Sequence, residues 1–180
     1  MIYLFLATGF EEIEALTTLD ILRRCGLEVK TVSITGTRLI QGAHGIPVMA
    51  DCLFRRKDME ECDAVILPGG MPGAKNLMAC ESLNRAIAAF HEKGGLIAAI
   101  CAAPMILGGL NLLVGKNVTC YPGFEEYLTG ANCTTELVVE DGNIITGRGP
   151  GAAVEFAFTI ARHFVSDANI NRLKFEMILL

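Results

Sequence analysis

The chain has 180 residues, 52% of them hydrophobic and 19% charged, with a formal net charge of −5. That length suits a single domain over residues 1–180 with a substantial core. The acidic balance, with no basic run interleaved with aromatics, argues against a nucleic-acid partner.

The opening stretch MIYLFLATGF is apolar but has no positive flank and meets Glu11 and Glu12 at once. It is too short to span a bilayer and reads as a buried strand rather than a signal peptide. No later segment is an uninterrupted apolar run of membrane length, so no membrane partner is expected. Then come a helical stretch, EEIEALTTLDILRRCG, and a strand, LEVKTVSI. A hairpin-like region follows in GTRLIQGAHGIPVMAD, and next the apolar strand of DAVILPGG. A helix through ESLNRAIAAFHEKGG precedes the strand LIAAIC, which leads into AAPMILGGLNLL. TELVVEDGNIITGRGPG reads as a hairpin turning at Asp141-Gly142. The helices AAVEFAFTIARHF and NINRLKFEMILL close the chain.

Short, nearly continuous apolar strands alternating with helices predict an α/β fold with a mostly parallel sheet covered on both faces. Ligands in such folds bind beyond the carboxyl ends of the strands. The stretches to weigh are therefore the strand exits ATGFEE, LPGGMPG, AICAAP and TGRGPG.

The first exit lacks the GxGxxG of a dinucleotide site, and its glutamates would repel a pyrophosphate, so no nucleotide cofactor is expected. Thr8-Gly9-Phe10-Glu11 fits a capping box, and Glu12 suits a helix dipole. Glu14 falls at helical spacing with Thr18, Ile21 and Cys25, beside an apolar stripe, where a carboxyl should have an altered pKa.

Cys101 has two readings. If LIAAI is a strand and a helix follows, it occupies a tight strand-to-helix turn, the geometry of a nucleophile elbow. The helix N-terminus would then favour the thiolate, bringing a thiol from ~8.5 toward roughly 3.5–7.5. Pro104 suits a helix start, and Ala102 and Ala103 leave the sulfur approachable. The other reading is a small, buried, inert cysteine. The amides of Gly70, after a buried strand, and of Ala102 could form an oxyanion hole.

The seven cysteines (Cys25, Cys52, Cys62, Cys80, Cys101, Cys120 and Cys133) contain no CxxC pair. They read as reduced thiols of a cytoplasmic protein. No spacing of His, Cys and carboxylates reads as a metal site. Of three histidines, His91 and His163 read as surface residues, while His44 lies in a loop that could reach a site, its own or a neighbouring subunit's.

Five motifs in order, GFEEIEAL, VILPGG, LIAAICAAP, TCYPG and GRGPG, resemble the DJ-1/ThiJ/PfpI superfamily, and most closely its DJ-1/ThiJ branch. The similarity spans essentially the whole chain. It implies a flavodoxin-like three-layer sandwich, a homodimer, and a reactive cysteine on a strained elbow. By position, the reactive cysteine matches Cys101 and its protonated glutamate partner matches Glu14. The oxyanion amides match Gly70 and Ala102, with Gly69 beside them. PfpI-type peptidases have a histidine directly after the cysteine; here it is Ala102, which disfavours that activity. Relatives place a site histidine where this chain has Tyr121, a poor base with a reference pKa of ~10. Proton transfer then falls to Glu14, water or His44. Cys120 is a conceivable resolving thiol.

The resemblance implies a cysteine-dependent enzyme acting on reactive carbonyls, of the glutathione-independent glyoxalase or protein deglycase type. It would convert methylglyoxal to lactate, or act on a glycated substrate, in a stress-response role. The alternative it implies is an oxidation sensor or redox-regulated chaperone without turnover. A thiamine-pathway role, attached to the ThiJ label, finds no support, because the strand exits lack a basic clamp for a thiazole phosphate and offer only Arg148.

Overall fold

The computed structural model describes residues 1–179, the side chain of Asp58 apart; residue 180, the expected end of the last helix, lies outside the described residues. Strand β1 (Ile2–Leu6) leads into helix α1 (Glu12–Arg24) and strand β2 (Val29–Ser33). Strands β3 (Leu39–Gln41) and β4 (Pro47–Met49) form the expected hairpin, and a short β5 (Cys52–Leu53) follows. After a 3₁₀ turn at Arg56–Glu61 come β6 (Ala64–Leu67), α2 (Gly73–Met78), α3 (Glu81–Glu92), β7 (Leu96–Ile100) and α4 (Pro104–Gly109). The rest comprises β8 (Asn117–Val118), β9 (Asn132–Cys133), β10 (Val138–Asp141), β11 (Ile144–Gly147), α5 (Ala153–Ala161) and α6 (Asp167–Glu176).

Seven strands form one sheet in the order β10-β11-β7-β6-β1-β2-β5. All neighbours are parallel except β10, which pairs antiparallel with β11. The inner five follow the flavodoxin-like order. Every residue of β1, β6, β7 and β11 is buried, as strands covered on both faces require. Helix α1 packs against α5, while α2 packs against α4 and α3. Phe156 and Phe158 of α5, Ile21 and Leu22 of α1, and Leu77 of α2 are sealed in this core.

The β10–β11 hairpin turns as expected, pairing Asp141 with Ile144 around Gly142 at φ +64°. The short α2 and the β8–β9 pair have no counterpart in the sequence reading. The expected capping box does not form. Gly9 turns the chain at φ +87°, so α1 starts only at Glu12, and its N-cap is Glu11 with no side-chain cap bond. Thr8 is left exposed, too far back to reach the first helical amides. No helix among the described residues is long and apolar enough to cross a membrane.

Candidate active site

The exits of β1, β6 and β7 converge at the carboxyl edge of the sheet. Cys101 directly follows β7 and adopts φ +64°, a left-handed conformation that non-glycine residues rarely adopt. Two bonds over-determine it: its amide donates to Gly147 O at 2.8 Å, and its carbonyl accepts from Tyr121 N at 2.9 Å. Such strain, stored where neighbours hold it in place, marks functional positions. The side chain is mostly covered, at 8% exposure, yet it lines a cleft of ≈ 440 Å³.

Glu14, the third residue of α1, is fully buried. Its Oε2 accepts the Gly69 amide at 2.7 Å, and its carboxyl lies in hydrogen-bonding contact with the Cys101 thiol. Oε1 is sealed and has no hydrogen-bond partner within the chain. Burial pushes this carboxyl up to about 7, against the opposing pull of the Cys101 and Gly69 hydrogen bonds. Glu14 is thus an acid that holds its proton near neutrality.

The expected dipole-lowered thiol is not what the structure builds. Burial, followed by the charge of ionised Glu14, pushes the Cys101 thiol up, while hydrogen bonds from the Gly70 and Ala102 amides pull the other way. Helix α4 is only six residues long, too short to outweigh desolvation. The thiol is therefore tied to Glu14: ionised Glu14 opposes the thiolate, and a protonated Glu14 would not.

The glycines make this approach feasible. A Cβ on Gly69 would stand 2.7 Å from the Cys101 Cβ and 2.8 Å from Glu14 Oε2. Gly70, at φ +83°, aims its amide at the sulfur, whereas the Gly69 amide is spent on Glu14.

Sequence reasoning treated Glu12 as a dipole residue; the structure gives it another task. Its buried carboxylate accepts the His44 amide at 2.8 Å and the Ile46 amide at 3.4 Å, and pairs with His44 Nδ1 at 2.9 Å. Glu11 Oε2 lies 3.4 Å from the same nitrogen. Burial opposes ionisation of Glu12, but the His44 ring and these amides hold its carboxyl below the usual range. The Glu12 hydrogen bond, then the charges of Glu11 and Glu12, raise the His44 imidazole. The three side chains present their polar atoms within 4.8 Å of one another.

His44 lines the Cys101 cleft from within the same chain, as do Tyr121 and Ala102. Glu11, Ile13, Met71, Phe124 and Pro150 also line it; Glu11, Met71 and Pro150 fall in the strand exits the sequence singled out, whereas Ile13 and Phe124 carried no local signal. His163 is on the surface, paired with Glu140 at 3.0 Å. His91, expected on the surface, instead has a sealed Nε2 with no partner. Cys120 is buried, and burial pushes its thiol up to about 12, which suits a core residue better than a resolving thiol. Arg148 reaches the Thr134 carbonyl at 3.4 Å, a contact within the fold.

Strained cysteine, buried acid and convergent amides at the strand exits define a flavodoxin-like protein of the cysteine-elbow class. The sequence profile of the DJ-1/PfpI family matches residues 1–163, and the chain belongs to that family. It is similar to protein DJ-1 homolog B of Arabidopsis thaliana, with 38% identity over 161 residues, 88% of this chain. The chain spans only 37% of that protein's length. The glutathione-independent glyoxalase DJR-1.2 of Caenorhabditis elegans is 33% identical over 91% of this chain and 87% of its own length. Among solved structures, a cysteine-to-alanine mutant of the DJ-1 superfamily protein STM1931 from Salmonella typhimurium superposes with a TM-score of 0.91. It is 35% identical, with 98% of this chain and 97% of that chain covered. These relatives put the chain in the DJ-1/ThiJ branch.

Proposed function

We propose that this protein is a glutathione-independent glyoxalase acting on small reactive carbonyls, with Cys101 as nucleophile. One observation carries the reading: Cys101 stands on its strained elbow in the cleft, between the Glu14 carboxyl and the Gly70 and Ala102 amides. The similarity to a protein named as a glyoxalase supports it.

The chemistry is internally balanced. The Cys101 sulfur adds to the aldehyde carbon of methylglyoxal, and the displaced π pair becomes an alkoxide facing the Gly70 and Ala102 amides. The aldehyde carbon then loses its proton to solvent water, and the electrons move into an enediolate. Protonation at the neighbouring carbon leaves a thioester, which water cleaves to lactate and the free thiol. One carbon is oxidised and its neighbour reduced, so no outside oxidant is needed. As the sulfur adds, the ionised form of Glu14 takes the thiol proton, and it returns that proton when the thioester is cleaved. The same addition would serve a glycated thiol or amine.

Lactate formation from methylglyoxal without glutathione tests the reading. The expected result is turnover by the native chain and none above background by Cys101→Ala; equal rates would refute it.

Homodimerisation and a cytoplasmic stress role belong to the same proposal. Ile13 of α1 and Leu39, Ile46 and Met49 around the β3–β4 hairpin are all more than half exposed, an apolar set that a second copy would cover. The oxidation-sensor alternative draws on the same amides, because a sulfinate on Cys101 would accept from Gly70, Ala102 and protonated Glu14. Mild peroxide followed by intact-mass measurement separates them: two oxygens confined to Cys101 without aldehyde turnover favours the sensor.

A further inference from the structure

We propose that His44 binds the second carbonyl oxygen of the substrate, so that the cleft selects vicinal dicarbonyls over simple aldehydes. This rests on the reading of Cys101 as a carbonyl nucleophile. A vicinal dicarbonyl brings two oxygens to the site. The Gly70 and Ala102 amides face the one on the carbon that sulfur attacks. The other takes up negative charge as the enediolate forms, and it needs its own donor.

His44 is the one side chain lining the cleft that can carry positive charge. The rest of the wall is acidic at Glu11, apolar at Ile13, Met71, Phe124 and Pro150, and phenolic at Tyr121. Nδ1 of His44 is occupied by Glu12 Oε2 at 2.9 Å and Glu11 Oε2 at 3.4 Å. In the protonated ring the free donor is Nε2–H, on a side chain that is 67% exposed.

The ring is held from both ends. Glu12 Oε1 takes the His44 amide at 2.8 Å, and the Ala43 amide donates to Phe10 O at 2.8 Å. Gly42 makes room for the carboxylate, since a Cβ there would stand 2.2 Å from Glu12 Oε1. Glu12 is thus a positioning residue that fixes the tautomer and the charge of His44, as a carboxylate does behind a general-acid imidazole. The ionisable groups facing His44 are Glu11 and Glu12 from α1 and, across the cleft, Cys101 and Tyr121, with Glu14 behind the sulfur. The two nearest are carboxylates, and they raise the pKa of the ring.

In the enolisation step, the carbon–hydrogen electrons pass through the new double bond to the second oxygen. The Nε2 proton is shared with that oxygen, then returns to the ring when the neighbouring carbon is protonated. Nothing is consumed.

The test reads adduct formation as well as turnover. Protection of Cys101 against iodoacetamide is followed on its peptide by mass spectrometry, with methylglyoxal or acetaldehyde as the protecting carbonyl. The concentrations giving half-protection yield a preference ratio. In His44→Gln that ratio falls about tenfold or more, the worth of a hydrogen bond from a charged donor; alkylation without aldehyde, measured in each variant, corrects for any change in thiol reactivity, which cancels in the ratio. Glu12→Gln lowers the ratio by less. An unchanged ratio in His44→Gln, or a loss seen in Tyr121→Phe instead, overturns the proposal. Native lactate production with an unchanged ratio sinks the role of His44 alone. A His44-dependent ratio without lactate sinks the glyoxalase reading and leaves His44 as the dicarbonyl donor.

Discussion

The Gly69 amide donates to Glu14 Oε2 at 2.7 Å, which locks a carboxyl from the first helix under the cysteine of the β7 elbow. Burial outweighs that bond and keeps the Glu14 pKa at about 7. A group protonated more readily in the folded than in the unfolded chain adds stability at low pH, which is lost as pH climbs from 4.5 through 7. The shift is worth about 3 kcal/mol. Urea unfolding at pH 5 and pH 8 checks this: the native chain loses about that much between the two, and Glu14→Gln loses markedly less.

Gly69→Ala is expected to damage site and fold together. The added methyl group would press on the Cys101 Cβ, Glu14 Oε2 and the Ile100 carbonyl, all closer than 3.0 Å. Overpacking of this kind costs about 1–3 kcal/mol. The midpoint of urea unfolding should drop accordingly, and Cys101 alkylation should change in rate even where the variant is fully folded.

Glu12→Ala should loosen the segment between β3 and β4. It removes the acceptor of the His44 and Ile46 amides. Hydrogen exchange at those two amides should speed up by at least tenfold, with exchange in β6 and β7 unchanged. The cost in global stability should stay near about 1–3 kcal/mol, that of a buried polar group left without its partner.

Ser166→Ala tests a contact remote from the site. The Ser166 hydroxyl caps α6 by accepting the Asn169 amide. Its loss should cost about 1 kcal/mol in thermal unfolding and leave Cys101 reactivity untouched.

The sequence by itself determined the sheet. Runs such as IYLFL and LIAAI are apolar without a break, and only strands covered on both faces bury them. It also determined the hairpin at Asp141-Gly142, because a positive φ there favours glycine; at Cys101 the strand before it and Pro104 after it marked a turn, but left an exposed nucleophile and an inert core thiol both open. Tertiary structure decided the chemistry of these groups. Three glutamates at positions 11, 12 and 14 are alike in the sequence. Helical turning sends Glu14 beneath the sheet edge toward Cys101 and Glu12 toward a loop more than thirty residues away in the chain. Whether the thiol is raised or lowered, and which histidine enters the cleft, depends on burial and through-space charge, and local spacing records neither.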